Sequence, residues 1–140
     1  MDLERALVLA GLAAMVPALV LWGRRLARGR FERTRSASGA ALWELLGTVP
    51  DGRPTVVAFS TPGCAACGTA QKPALAALQQ RARNGVRVIQ VDAAEQPQVA
   101  RTFGVLTVPA TVVLDQWGGV LAANQGFATT DRLAAQLGLK

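Results

Sequence analysis

The stretch Thr55-Val56-Val57-Ala58-Phe59-Ser60-Thr61-Pro62-Gly63-Cys64-Ala65-Ala66-Cys67 decides how the rest of the chain is read. Its first six residues form an apolar, β-rich run of the kind that is buried on both faces of a sheet. Thr61-Pro62-Gly63 supplies a turn, and the Ala/Leu/Gln-rich residues from Cys64 predict a helix to about Arg83, stopped by Asn84-Gly85. The chain's only two cysteines therefore stand at a strand-to-helix junction with two residues between them. At a helix start the first sulfur meets unsatisfied N–H groups and partial positive charge, which favour the thiolate, the reactive form. The second sulfur lies a turn further on, within reach to resolve a mixed disulfide. This spacing at this boundary points to redox chemistry at Cys64 and Cys67 rather than to a static crosslink.

Metal binding is the rival reading of the pair. Structural zinc takes four ligands, usually cysteine and histidine, and the chain has no histidine and no further cysteine. Two soft thiolates can still hold Cu(I), so a non-catalytic Cu(I)-binding or interaction module stays open as an alternative. The redox reading needs no metal and no cofactor.

Outward from the motif the pattern alternates helix and strand. Residues 40–46 read as a short amphipathic helix, broken at Val49-Pro50-Asp51-Gly52. Val86–Val91 is a second strand ending at Asp92, and residues 96–103 form a short helix closed by Gly104. Residues 110–114 and 120–123 make a hairpin across Asp115–Gly119. Residues 130–137 are the last helix, N-capped by Thr129 or Thr130. A βαβ half followed by a ββα half predicts an α/β domain with a mixed central sheet and helices on both faces, over residues 40–140. Aromatic residues are 5% of the chain, so its core is built mainly from Ala, Val and Leu. Trp43, Phe103 and Trp117 are expected to pack rather than bind.

The net charge of +6 is unevenly placed. Residues 1–35 hold seven arginines against three carboxylates, a net of +4, and the remainder holds eight basic against six acidic side chains. With the globular part nearly balanced and no aromatic platforms beside basic patches, nucleic acid is not an expected partner. Residues 6–22 carry no charged or polar side chain, about the shortest run that spans a bilayer, and Trp22 stands where an interfacial aromatic sits. Residues 1–23 are thus expected to be an uncleaved transmembrane anchor in the lipid bilayer, followed by an Arg-rich juxtamembrane linker over 24–39. The arginines of that flank put the domain on the cytoplasmic side of the cell membrane by the positive-inside rule.

The ordered set Phe59, Cys64-x-x-Cys67, Val91-Asp92, Phe103-Gly104-Val105, Thr107-Val108-Pro109-Ala110-Thr111, Gly118-Gly119 and Gly126 resembles the thioredoxin family over roughly residues 40–140. Membrane-tethered, single-domain bacterial thioredoxin-like proteins are similar in length and layout. The resemblance implies a thioredoxin-like fold and a thiol–disulfide oxidoreductase serving cell redox homeostasis. It implies partners too: protein disulfide substrates and an upstream electron donor, either a reductase or a membrane electron carrier. It also implies a cis bond before Pro109, placing that residue beside the cysteines. Val108, Pro109 and Gly126 would line a substrate groove, with Pro62 and Gly63 at its rim. Anchored relatives often work outside the cytoplasm, as reductants for cytochrome c maturation or envelope disulfides, which is the alternative compartment. The chain departs from the family where Gly63 replaces the usual tryptophan, Ala65-Ala66 replace Gly-Pro, Ala58 stands at the buried acid and Val88 at a nearby lysine. The helix proline, Pro73, falls one residue late. Loss of the buried acid predicts a couple less reducing than that of typical thioredoxins.

Overall fold

The computed structural model describes residue 4, residues 13–23 and residues 39–140. The chain divides into two units, Met1–Arg33 and Thr34–Lys140. In the first, residues 13–23 are helical and exposed, and among the described residues no helix is long and apolar enough to cross a membrane. Residues 1–3 and 5–12 of the expected anchor, and the arginine-rich stretch 24–38, lie outside the described residues.

In the second unit the elements are α1 (Gly39–Leu45), β1 (Thr55–Ser60), a π-helical turn (Cys67–Gln71) running into α2 (Lys72–Arg81), β2 (Arg87–Asp92), α3 (Pro97–Thr102), β3 (Ala110–Leu114), β4 (Val120–Gln125) and α4 (Thr130–Gln136). The four strands form one mixed sheet in the order β2-β1-β3-β4. β1 runs parallel to β2, with Ala58 opposite Gln90, and antiparallel to β3, with Ala58 opposite Thr111. β1 is central, and five of its six residues are buried, as its uninterrupted apolar run requires.

Side chains alternate across the sheet, so Val56 and Ala58 face one way and Val57 and Phe59 the other. Val56, Ala58 and Val113 pack with Leu75 and Leu78 of α2 and with Leu133 and Ala134 of α4. On the opposite side the Phe59 ring lies 5.6 Å from that of Phe103, just past α3. The α4 start is capped as expected, Thr129 accepting from the Arg132 N–H at 3.2 Å. At the other helix end, Arg83 and Asn84 take left-handed φ values of 50° and 60° and turn the chain out of α2.

Two expectations are corrected. The helix after the cysteines is not uniformly α: residues 67–71 form a π turn in which the Lys72 N–H donates to the Cys67 carbonyl, five residues back. A π turn absorbs one extra residue in a helix. That is why Pro73 stands a residue late yet still falls in the first turn of α2. The second correction is Trp117, which is 78% exposed rather than packed. The Asp115 carboxylate accepts from the N–H groups of Trp117 and Gly119, both at 2.8 Å, and the tight turn leaves the indole at its tip. Trp43 and Phe103 are buried, at 3% and 2%.

Gly118 is where the hairpin meets α1. Its φ is +88°, and a β-carbon there would come within 2.7 Å of Trp43 Nε1 and 2.9 Å of Gly39 Cα. Gly118→Ala combines backbone strain with overpacking and is expected to cost about 1–3 kcal/mol. Urea unfolding checks this, and an unchanged midpoint would contradict the packing described.

Candidate active site

The cysteines sit where β1 ends. After Ser60 the chain turns through exposed Pro62 and Gly63, and the Cys64 N–H closes the turn on the Thr61 carbonyl at 3.1 Å. Cys64 and Cys67 are joined in a disulfide with Cα atoms 5.3 Å apart. Cys64 is half-buried and Cys67 is 8% exposed, so the first sulfur is the one an incoming group reaches. The Cys67 N–H donates to Cys64 Sγ at 3.2 Å. An N–H directed at the Cys64 sulfur is a geometry that favours a thiolate there when the disulfide is reduced.

The sheet register brings the other predicted residues to the same end. Phe59 is opposite Ala110 and Ala110 is opposite Gln125, so Ser60, Pro109 and Gly126 follow one another across three adjacent strand ends. The Val108–Pro109 peptide is cis, with Pro109 buried and Val108 half-buried. Gly126 has φ +85°, and nothing lies within 4 Å of a β-carbon built there, so conformation rather than space favours glycine.

Two clefts lie at this end of the sheet, one of them against the pair. One, of about 240 Å³, runs behind the cysteines, with Ala58 and Gln90 on the sheet side and Gln71 and Lys72 on the helix side; Pro62, Cys64 and Cys67 also line it. The other, of about 320 Å³, lies between α3 and the loop before β3 and is lined by Pro97, Ala100, Arg101 and residues 105–108. Thr61 borders both. Of the predicted residues, Pro62 and the cysteines thus share the first cleft and Val108 lines the second. Gly63, Pro109 and Gly126 line neither. Where the family places a buried acid, the first cleft has the Ala58 methyl group, 6% exposed. No group of three or more His, Cys, Asp or Glu side chains is placed to hold a metal among the described residues.

Two glutamines that the sequence reading passed over hold the loops around the site. Gln71, 3% exposed in the π turn, donates to the Ala128 carbonyl at 3.0 Å and accepts from the Ala128 N–H at 2.9 Å. It pins the segment that follows Gly126 to the cysteine-bearing helix. Gln125 accepts from the Leu106 N–H at 3.1 Å and donates to the Gly104 carbonyl at 2.9 Å, bracing the loop that leads to Pro109. The displaced Pro73 was the available signal for Gln71, because the extra residue rotates one polar side chain toward the core. Nothing in the sequence marks Gln125.

Residues 46–138 match the sequence profile of the family described as Thioredoxin. Among solved structures, thioredoxin-2 of the malaria parasite, described as a component of that organism's protein secretion machinery, is 26% identical with a TM-score of 0.54, covering 59% of this chain and 79% of that one. Fasciola hepatica thioredoxin is 24% identical with a TM-score of 0.57, covering 73% of this chain and 93% of the other. Chloroplastic thioredoxin z is 18% identical with a TM-score of 0.58, covering 72% and 88%. The last two are likenesses of fold. A profile match over most of the chain coincides with a strand, a Cys-x-x-Cys pair and a cis-proline loop meeting at one sheet end, and the chain belongs to the thioredoxin family.

Proposed function

We propose that this protein is a membrane-tethered thiol–disulfide oxidoreductase that reduces or exchanges protein disulfides through Cys64 and Cys67. The observation that carries the chemistry is the asymmetry of the pair: an accessible Cys64 Sγ facing an N–H donor, and a buried Cys67 bonded to it. An external electron donor first reduces this disulfide to the dithiol. The Cys64 thiolate then attacks a substrate disulfide, the substrate S–S bond breaks, and one substrate sulfur leaves as a thiolate. Cys67 gives up its proton and attacks Cys64 Sγ, the mixed disulfide breaks, and the second substrate thiolate departs. Two electrons pass from the pair to the substrate. The Val108 backbone, at the head of β3, is offered for pairing with an extended substrate strand, with Pro62, Gly63, Pro109 and Gly126 around it.

The tether rests on the uncharged run 6–22 and Trp22, and the cytoplasmic side on the arginines that follow. The second reading is the same chemistry outside the cytoplasm, acting on apocytochrome or envelope disulfides. One experiment addresses all of these. Full-length Cys67→Ser is expected to accumulate mixed disulfides through Cys64, in the membrane fraction, with cytoplasmic partners. Envelope partners would overturn the assigned side, and complexes only in the soluble fraction would overturn the tether. Absence of any Cys64-dependent complex would overturn the exchange reaction.

A further inference from the structure

Of the residues lining the cleft behind the cysteine pair, only one ionises apart from the cysteines themselves, and that is Lys72. β1 contributes Ala58, Phe59 and Ser60, and β2 contributes Gln90. The helix adds Gly68, Gln71 and Leu75, none of which carries a charge. The nearest carboxylate on β2, Asp92, accepts from the Ala94 and Glu95 N–H groups and does not line the cleft. The basic side chain at the far end of α2, Arg81, is paired with Asp131 at 2.8 Å. Lys72 is exposed and has no ion pair or side-chain hydrogen bond among the described residues.

The π turn puts Lys72 there. Its N–H donates to the Cys67 carbonyl, so the two residues are joined across one wide turn and both border the same cleft. In an uninterrupted α-helix, residues five apart diverge around the axis. The extra residue of the turn therefore brings a basic residue to the cleft that Cys67 borders, a cleft with no carboxylate among its lining residues.

We propose that Lys72 is the charge partner of Cys67, its ammonium stabilising the thiolate that Cys67 must form to resolve the mixed disulfide. The proton leaves through water in the cleft. In the resolving step Cys67 Sγ bonds to Cys64 Sγ, the Cys64–substrate bond breaks, and the substrate sulfur takes the electron pair. The assignment deepens the proposed exchange reaction and rests on it, but its test needs no turnover.

Ultraviolet thiolate absorbance is followed against pH in reduced Cys64→Ser protein, where Cys67 is the sole thiol. The same titration is run with Lys72→Met or Lys72→Arg added, with thermal unfolding confirming that each variant is folded. A unit charge acting through a water-filled gap changes an ionisation by about three-fold. Lys72→Met is expected to lower the Cys67 thiolate fraction by about that factor at a given pH. Lys72→Arg, which keeps the charge, restores it, and 1 M salt closes the gap. Superimposable Lys72→Met and parent curves would overturn the assignment, and so would a Lys72→Arg curve that follows Lys72→Met. A protein that shows the charge effect yet forms no mixed disulfide through Cys64 would refute the exchange reaction alone.

Discussion

Ala58→Asp is expected to lower the reduction potential of the Cys64–Cys67 couple by about 30–60 mV, corresponding to one or two tenfold changes in thiolate stability. Ala58 is 6% exposed on the central strand, and its methyl group borders the cleft behind both sulfurs. A carboxylate at this buried strand position would repel a neighbouring thiolate, destabilising the reduced form and leaving the disulfide largely untouched. The unsubstituted protein should accordingly lie above the value of about −270 mV typical of thioredoxin. Equilibration with glutathione buffers and thiol trapping measures both potentials; equal values would remove the acid from any account of this site. The substitution carries a second, separable signature. Burial raises a carboxyl group's pKa above its unfolded value of about 3.9, so the folded state binds the extra proton more tightly. The variant therefore loses stability as pH rises through that window, and its melting temperature should fall further below wild type at pH 8 than at pH 4.

Gln71→Ala should be costly for a different reason. Ala128 is fully buried, and its N–H and C=O are both held by the one amide side chain. Truncation leaves a buried donor and a buried acceptor unpaired, at about 1–3 kcal/mol each, for a total of about 2–6 kcal/mol. In a domain of this size that is a fall in melting temperature of about 10 °C or more. Amide exchange at Ala128 should accelerate in parallel, because the segment after Gly126 loses its tie to the helix. Gln71→Glu separates the two bonds, since a carboxylate can accept from the Ala128 N–H but cannot donate to the carbonyl. That variant should recover stability at low pH, where the protonated acid donates again. Unchanged stability in Gln71→Ala would mean that water from the cleft takes over both bonds.

The fold was legible wherever a single physical rule dominates. The apolar run 55–60 reads as a central strand because only burial on both faces accommodates it. The hairpin reads from its turn residues, and the cysteine site reads from where strand and helix patterns meet. The illegible parts share one cause: they depend on side chains rotated by local geometry. An Ala/Gln-rich helix has almost the same periodicity with or without a π turn, so only the late Pro73 points to Gln71, and nothing marks Lys72. Trp117 looked like packing material because large aromatics are usually buried, but a turn anchored by the Asp115 carboxylate points it outward. Gln125 braces a loop 19 residues away in sequence, beyond the reach of any local pattern.

The contact between Gly39 and the 117–118 turn has a mechanical consequence. β3 leaves the cysteine end of the sheet at Ala110 and reaches that turn at its opposite end, so the chain enters this domain at the pole farthest from the sulfurs. A pull or an attachment at residue 39 acts on the hairpin tip and α1 while the pole bearing Cys64 stays clear.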